Sequence, residues 1–174
     1  MLVVGDSAAR GGARARGERG AEDLPGSPPL GVGNLGRARG GSLAPYSHSH
    51  QAGRDGDLAF YALDSNGPVG LEDLEHFDRS LASEDGALKF DVARNWALVA
   101  ALVSDESIEL KWLFVSSSLR EALLAQGRKV KAAPAVIAAA ERVLHQPSDA
   151  PPHDDHFHVR IRCTSNERDE GCED

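Results

Sequence analysis

Residues 153–162 read HDDHFHVRIR, and this stretch decides the fold. From His156 onward apolar and polar side chains alternate: Phe157, Val159 and Ile161 against His156, His158, Arg160 and Arg162. A period of two belongs to a strand, whose successive side chains leave on opposite faces. The pattern predicts a strand over 156–162, with one face in a core and the other carrying both histidines and both arginines. His156 and His158 then stand about 6.5–7 Å apart along the chain. That spacing suits one imidazole on a metal and its neighbour facing a bound water or substrate. His153 lies an odd number of residues away and joins them only if the chain turns at Asp154-Asp155.

Working outward, strands and helices are mixed. Leu58 to Leu63 (LAFYAL) is a short apolar run that ends in the turn cluster Asp64-Ser65-Asn66-Gly67-Pro68. Over residues 91–103, Val92, Trp96, Val99, Ala100 and Val103 share a helical face, with Asp91 as N-cap. Residues 108–115 (IELKWLFV) read as a strand. Ser118 and Glu121 form a capping box that opens a helix to Gln126, and Gly127 is placed to stop it. A second helix runs from Pro134 to Leu144, with proline in its first turn. Trp96 and Trp112 are expected in the core. The expectation is an α+β fold, helices packed on a small central antiparallel sheet. Its domain spans residues 29–163, after a low-complexity segment 1–28 and before an acidic tail 164–174.

A second histidine group lies far upstream. Residues 47–58 read SHSHQAGRDGDL. His50 and Asp57 are seven apart, but Gly53 and Gly56 argue against a helix. A loop running into the strand at Leu58 lets imidazole and carboxylate converge. His50, Asp57 and His158 together make a His₂Asp set, and catalytic zinc sites use three such nitrogen and oxygen ligands. No HExxH occurs, which excludes a helical zincin. With no glutamate base, His156 is the natural proton acceptor. Asp55, Asp154 and Asp155 are placed to orient imidazoles through their second nitrogens.

The 174 residues carry 19 basic and 27 acidic side chains, a net charge of −8. That balance argues against nucleic-acid binding, which needs clustered base. No apolar stretch nears the roughly 20 residues of a membrane span, so no membrane insertion is expected. Residues 1–54 hold seven arginines against four acids, and the first 41, with 11 of the 18 glycines, read as a low-complexity lead-in. Met1 is followed by only three apolar residues, Leu2 to Val4, so no export signal is legible there. The chain is then either cytoplasmic or read without its natural N-terminus.

SHQAGRDGDL (49–58) and HDDHFHVRIRC (153–163) resemble the penicillin-insensitive murein endopeptidases. These belong to a wider zinc peptidase group with lysostaphin-type enzymes, D-Ala-D-Ala carboxypeptidases and hedgehog N-terminal domains. The likeness runs from about Pro29 to Cys172. It implies a hedgehog-like or D-Ala-D-Ala-peptidase-like α+β domain and a Zn2+ cofactor held by His50, Asp57 and His158. It implies His156 as catalytic base or transition-state stabiliser, with His153 also in the catalytic site. The implied substrate is the D-alanyl–diaminopimelyl cross-link of murein (peptidoglycan), and the implied location is the periplasm. Two further readings stand beside it: a non-catalytic zinc-containing peptidoglycan-binding module, and a D,D-carboxypeptidase. Ser47 stands where the family often has a histidine, with His48 one place off. Asp85 is followed by Gly86, Ala87 and Leu88 rather than by the histidine of an Asp-x-x-His second metal position.

Cys163 and Cys172 close a ten-residue loop. Pairing would contribute roughly 2.7 kcal/mol by loop entropy and suits an oxidising compartment. Two reduced cysteines beside an acidic tail are the other reading. Arg160 and Arg162 share the histidine face and either meet a substrate carboxylate or pair with acidic surface.

Overall fold

Among the described residues eleven short elements follow one another: β1 (Asp55–Ala59), β2 (Ala62–Asp64), β3 (Gly67–Val69), β4 (Lys89–Phe90), α1 (Val92–Ser104), β5 (Leu110–Phe114), α2 (Ser117–Lys129), α3 (Pro134–Val143), β6 (Leu144–His145), β7 (His156–Ile161) and α4 (Ser165–Asp169). The computed structural model describes residues 24, 26–35, 53–71 and 73–169. Ser47, His48, His50, Cys172 and most of the expected lead-in lie outside them.

The architecture is α+β, as the sequence predicts. One sheet has the order β1-β7-β5-β6 and a smaller one β3-β2-β4. Strand β7 pairs antiparallel with both β1 and β5, which places the HDDHFHVRIR strand between two neighbours. The pair β5–β6 is parallel, so the sheet is antiparallel only in its greater part. The period of two in β7 is obeyed. Phe157 is fully buried among Leu58, Leu113, Leu144, Trp96, Leu119 and Leu123. Helices α1, α2 and α3 supply much of that core, so they cover one face of the sheet and leave the other for polar groups. Phe60, Phe77, Phe90 and Phe157 pack edge to face with centroids 4.8–6.1 Å apart, within the favourable range for aromatic pairs.

Three local expectations change. The LAFYAL run is two strands in two sheets, parted at Phe60-Tyr61. Asn95 of α1, fully buried, explains the break. Its Oδ1 accepts from Tyr61 N at 3.0 Å and its Nδ2 donates to Tyr61 O at 2.8 Å. A side-chain amide thus replaces a strand partner and satisfies buried backbone. Helix α2 begins one residue before the expected capping box, behind Ser116, and runs through Gly127 to Lys129. Gly127 is a packing site, since a Cβ there would lie 2.5 Å from the Trp96 ring. The stop comes at Lys131, in the left-handed region (φ 54°). Lys131 N donates to Arg128 O and Ala132 N to Gly127 O, the paired bonds of a Schellman ending. Finally, Trp96 is buried as expected, but Trp112 is only half-buried and stands on the sheet's other face.

Elsewhere the sequence reading holds. Asp91 caps α1 by accepting from Arg94 N at 3.0 Å. In the β2–β3 hairpin, Asp64 Oδ1 accepts from Asn66 N and Gly67 N. The extended segment from Gly31 to Asn34 lies along β1, with Gly33 N donating to Asp57 O at 2.8 Å and Ala59 N to Gly31 O at 3.0 Å. A Cβ at Gly31 would meet Ala59 Cβ at 2.9 Å, so only glycine allows this approach.

Candidate metal centre

The register of β1, β7 and β5 builds the site. Asp57 stands opposite His158, Asp55 opposite Arg160, and Phe114 opposite His158 on the other side. All of these residues, with His156, rise from the sheet face away from the helices. The chain turns at Asp154-Asp155, as His153 requires, and Ser116 N donates to His153 O at 2.7 Å to hold it there. His153, His156 and His158 then bring ligand-capable nitrogens within 4.8 Å of one another. Asp57 joins them: its Oδ1 is 3.3 Å from His156 Nε2 and 3.7 Å from His158 Nδ1.

Carboxylates orient the imidazoles. Asp55 Oδ1 bonds His158 Nε2 at 2.8 Å and also accepts from Arg160 Nε at 2.8 Å. His158 is thereby left with Nδ1 on the Asp57 side. Asp155 Oδ1 bonds His156 Nδ1 at 2.7 Å, leaving Nε2 toward Asp57. Asn34 Nδ2 donates to Asp57 Oδ2 at 3.1 Å from the segment beside β1. Phe114 closes one side, with ring centroids 5.5 Å from His153 and 5.2 Å from His158.

Protonation follows from these contacts. Burial alone would lower His156, but the bonds to Asp155 and Asp57 outweigh it and hold the imidazole up at about 9. His153 moves the opposite way, to about 4, because burial and then the neighbouring His156 and His158 oppose its charge. Burial would raise Asp55, yet the donors His158 and Arg160 keep its carboxyl below the usual range.

The donor set fits a divalent cation of the zinc type, which takes imidazole nitrogen and carboxylate oxygen. A second sign is His153 Nδ1, a buried ring nitrogen with no hydrogen-bond partner among the described residues. Buried polar atoms are rarely left so, at a cost of about 1–3 kcal/mol. Each imidazole except His153 already has a carboxylate on its far nitrogen, the arrangement that raises ligand basicity.

Of the site residues the sequence singles out, Asp57, His153, His156 and His158 come together. His50 lies outside the described residues. Asp55 and Asp155 orient imidazoles as expected, whereas Asp154 turns to His76, whose Nδ1 is 2.6 Å away. That bond raises His76 above its ordinary value, and the pair is exposed. Arg160 shares the histidine face, but Arg162 is exposed beyond the strand's end. Asp85 ties its own turn by accepting from Ser83 Oγ and Ala87 N. Cys163 is fully buried and not free; Cys172 lies outside the described residues.

Sequence reasoning missed Asn34, Phe114, Trp112 and His76 as neighbours of the site. Only Asn34 left a trace, in the glycines that let its segment approach β1. His76 and Asp154 are separated by 78 residues, and no spacing rule joins them.

A family model for penicillin-insensitive murein endopeptidases matches residues 17–174, nearly the whole chain. No curated protein matches it.

Proposed function

The chain belongs to the penicillin-insensitive murein endopeptidase family, and from that premise we propose a zinc metallo-endopeptidase that cleaves D-alanyl–diaminopimelyl cross-links in murein. What carries the reading is the convergence of His153, His156 and His158 within 4.8 Å, beside Asp57 on the adjacent strand. His50, Asp57 and His158 hold the metal. When bound, zinc supplies Lewis acidity to an amide carbonyl and to water. A cation bound at Asp57 would oppose the imidazolium charge, and His156, steadied at Nδ1 by Asp155, would then take the attacking water's proton at Nε2 and pass it to the leaving amine. Loss of such a base costs about 10²–10⁴-fold. His153 is uncharged at neutral pH and so offers a hydrogen bond without adding positive charge beside the metal ligands. No serine is acylated in this scheme, so β-lactams find no nucleophile, which accounts for insensitivity to them.

The catalytic core occupies residues 29–163, between the 1–28 lead-in and the 164–174 tail. Murein lies outside the cytoplasmic membrane, so the enzyme acts in the periplasm. Among the described residues no helix is long and apolar enough to cross a membrane. A Cys163–Cys172 disulfide suits that compartment, and the burial of Cys163 supports it.

Purified cross-linked muropeptide dimers test the reading. Zinc-loaded protein is expected to convert dimers to monomers, and a chelator to stop the conversion. Release of free D-alanine without loss of dimers would instead mark a D,D-carboxypeptidase. Dimers left intact by zinc-loaded protein would refute cleavage.

A further inference from the structure

One cation on the site face has no role in the scheme above. Arg160 lies two residues past His158 on β7, and its side chain is 28% exposed. Its Nε donates to Asp55 Oδ1 at 2.8 Å, and its guanidinium carbon lies 5.5 Å from the Phe114 ring centroid. Among the described residues, neither Nη atom has a hydrogen-bond partner. The fork is therefore anchored at its inner nitrogen and against an aromatic face, and its outer two donors remain for a ligand. A planar guanidinium with two parallel donors matches a carboxylate, and fixing it beforehand lowers the entropy lost on binding.

We propose that Arg160 receives the carboxylate next to the scissile amide, so that the site selects cross-links whose leaving amine carries a free carboxylate. This rests on the peptidase reading above. In diaminopimelate the carbon bearing each amine also bears a carboxyl group, so the leaving side of a D-alanyl–diaminopimelyl amide presents one. That carboxylate sits about one residue length, 3.3–3.8 Å, from the scissile carbonyl. Residues 158 and 160 are about 6.5–7 Å apart along β7, an interval an arginine side chain spans. Asp55 also ties this recognition to the centre, because one oxygen holds both His158 and Arg160. A substrate carboxylate on the outer nitrogens leaves that bond in place.

The test compares two muropeptide dimers, identical except that the diaminopimelate carboxylate is free or amidated, on wild type, R160Q and R160K. Wild type is expected to favour the free acid about 10–100-fold in kcat/KM, the scale of one or two charge-assisted hydrogen bonds. R160Q is expected to erase the preference, mainly through KM, with zinc content unchanged, while R160K keeps part of it. Calorimetric binding of the cleaved monomers, acid and amide, reads the same preference without turnover. Equal cleavage and binding of both forms by wild type, or a preference surviving in R160Q, would overturn the proposal. If R160Q does not fold, the wild-type comparison and R160K decide. Wild type that cleaves neither dimer yet binds the acid monomer through Arg160 would sink the endopeptidase reading and leave this one standing.

Discussion

Asp55→Asn tests whether the carboxylate behind His158 organises the centre. Asp55 is 5% exposed, and its Oδ1 accepts from both His158 Nε2 and Arg160 Nε at 2.8 Å. Asparagine keeps the shape and an oxygen that both donors can reach, but removes the negative charge that holds them. Breaking a buried charge pair costs about 3–5 kcal/mol. The low end, about 3 kcal/mol, applies here, because Arg160 keeps 28% exposure and water reaches it. At about 2–4 °C per kcal/mol for a chain of this size, Tm falls roughly 6–12 °C. Loss of an orienting partner also weakens metal binding about 10–100-fold, or roughly 1.4–2.7 kcal/mol. Thermal unfolding with and without zinc, plus competition against a chromophoric chelator, reads both effects. A variant that keeps zinc affinity within twofold and Tm within about 2 °C would show that Asp55 neither holds the imidazole nor matters to the metal.

Gly127→Ala gains about 1 kcal/mol of helix propensity but drives a methyl to 2.5 Å from Trp96. Overpacking costs about 1–3 kcal/mol, so net destabilisation is expected in chemical denaturation; a more stable variant would contradict the packing role. Without metal, stability is expected to peak near pH 6.5. His156, raised to about 9, contributes stability in full below about pH 6.5 and loses it as pH rises toward 9. His153, lowered to about 4, favours the fold above pH 6.5 and costs stability as pH falls from there toward 4. Denaturant midpoints of the metal-free protein across pH 4–9 check both limbs, and a flat profile would refute them. Asp155→Asn is expected to lower kcat about 10-fold or more while zinc content holds, since Asp155 touches His156 and not the ligand set; unchanged kcat would remove His156 as the base.

Much of this arrangement is legible in the sequence because β7 has a strand's period. HFHVRI states at once which side chains face the core and which face the site. The pairing of Asp57 with His158 was not legible as a register, but the two motifs that supply them were. What escaped were contacts that depend on a third element. Gly127 looks like a helix stop until Trp96 of α1 is seen against it. The LAFYAL run looks continuous because nothing within it signals that Asn95, more than thirty residues on, takes over the Tyr61 backbone. Asp154 looks like a partner for the histidines beside it, but tertiary folding gives it His76 instead.

An anomalous difference map at the zinc edge, from crystals of the zinc-loaded protein, tests the central claim most directly. A single strong peak about 2.0–2.2 Å from a carboxylate oxygen of Asp57 and a ring nitrogen of His158 is expected. No peak on this face of the sheet, or a peak resting only on His76 and Asp154, would contradict it.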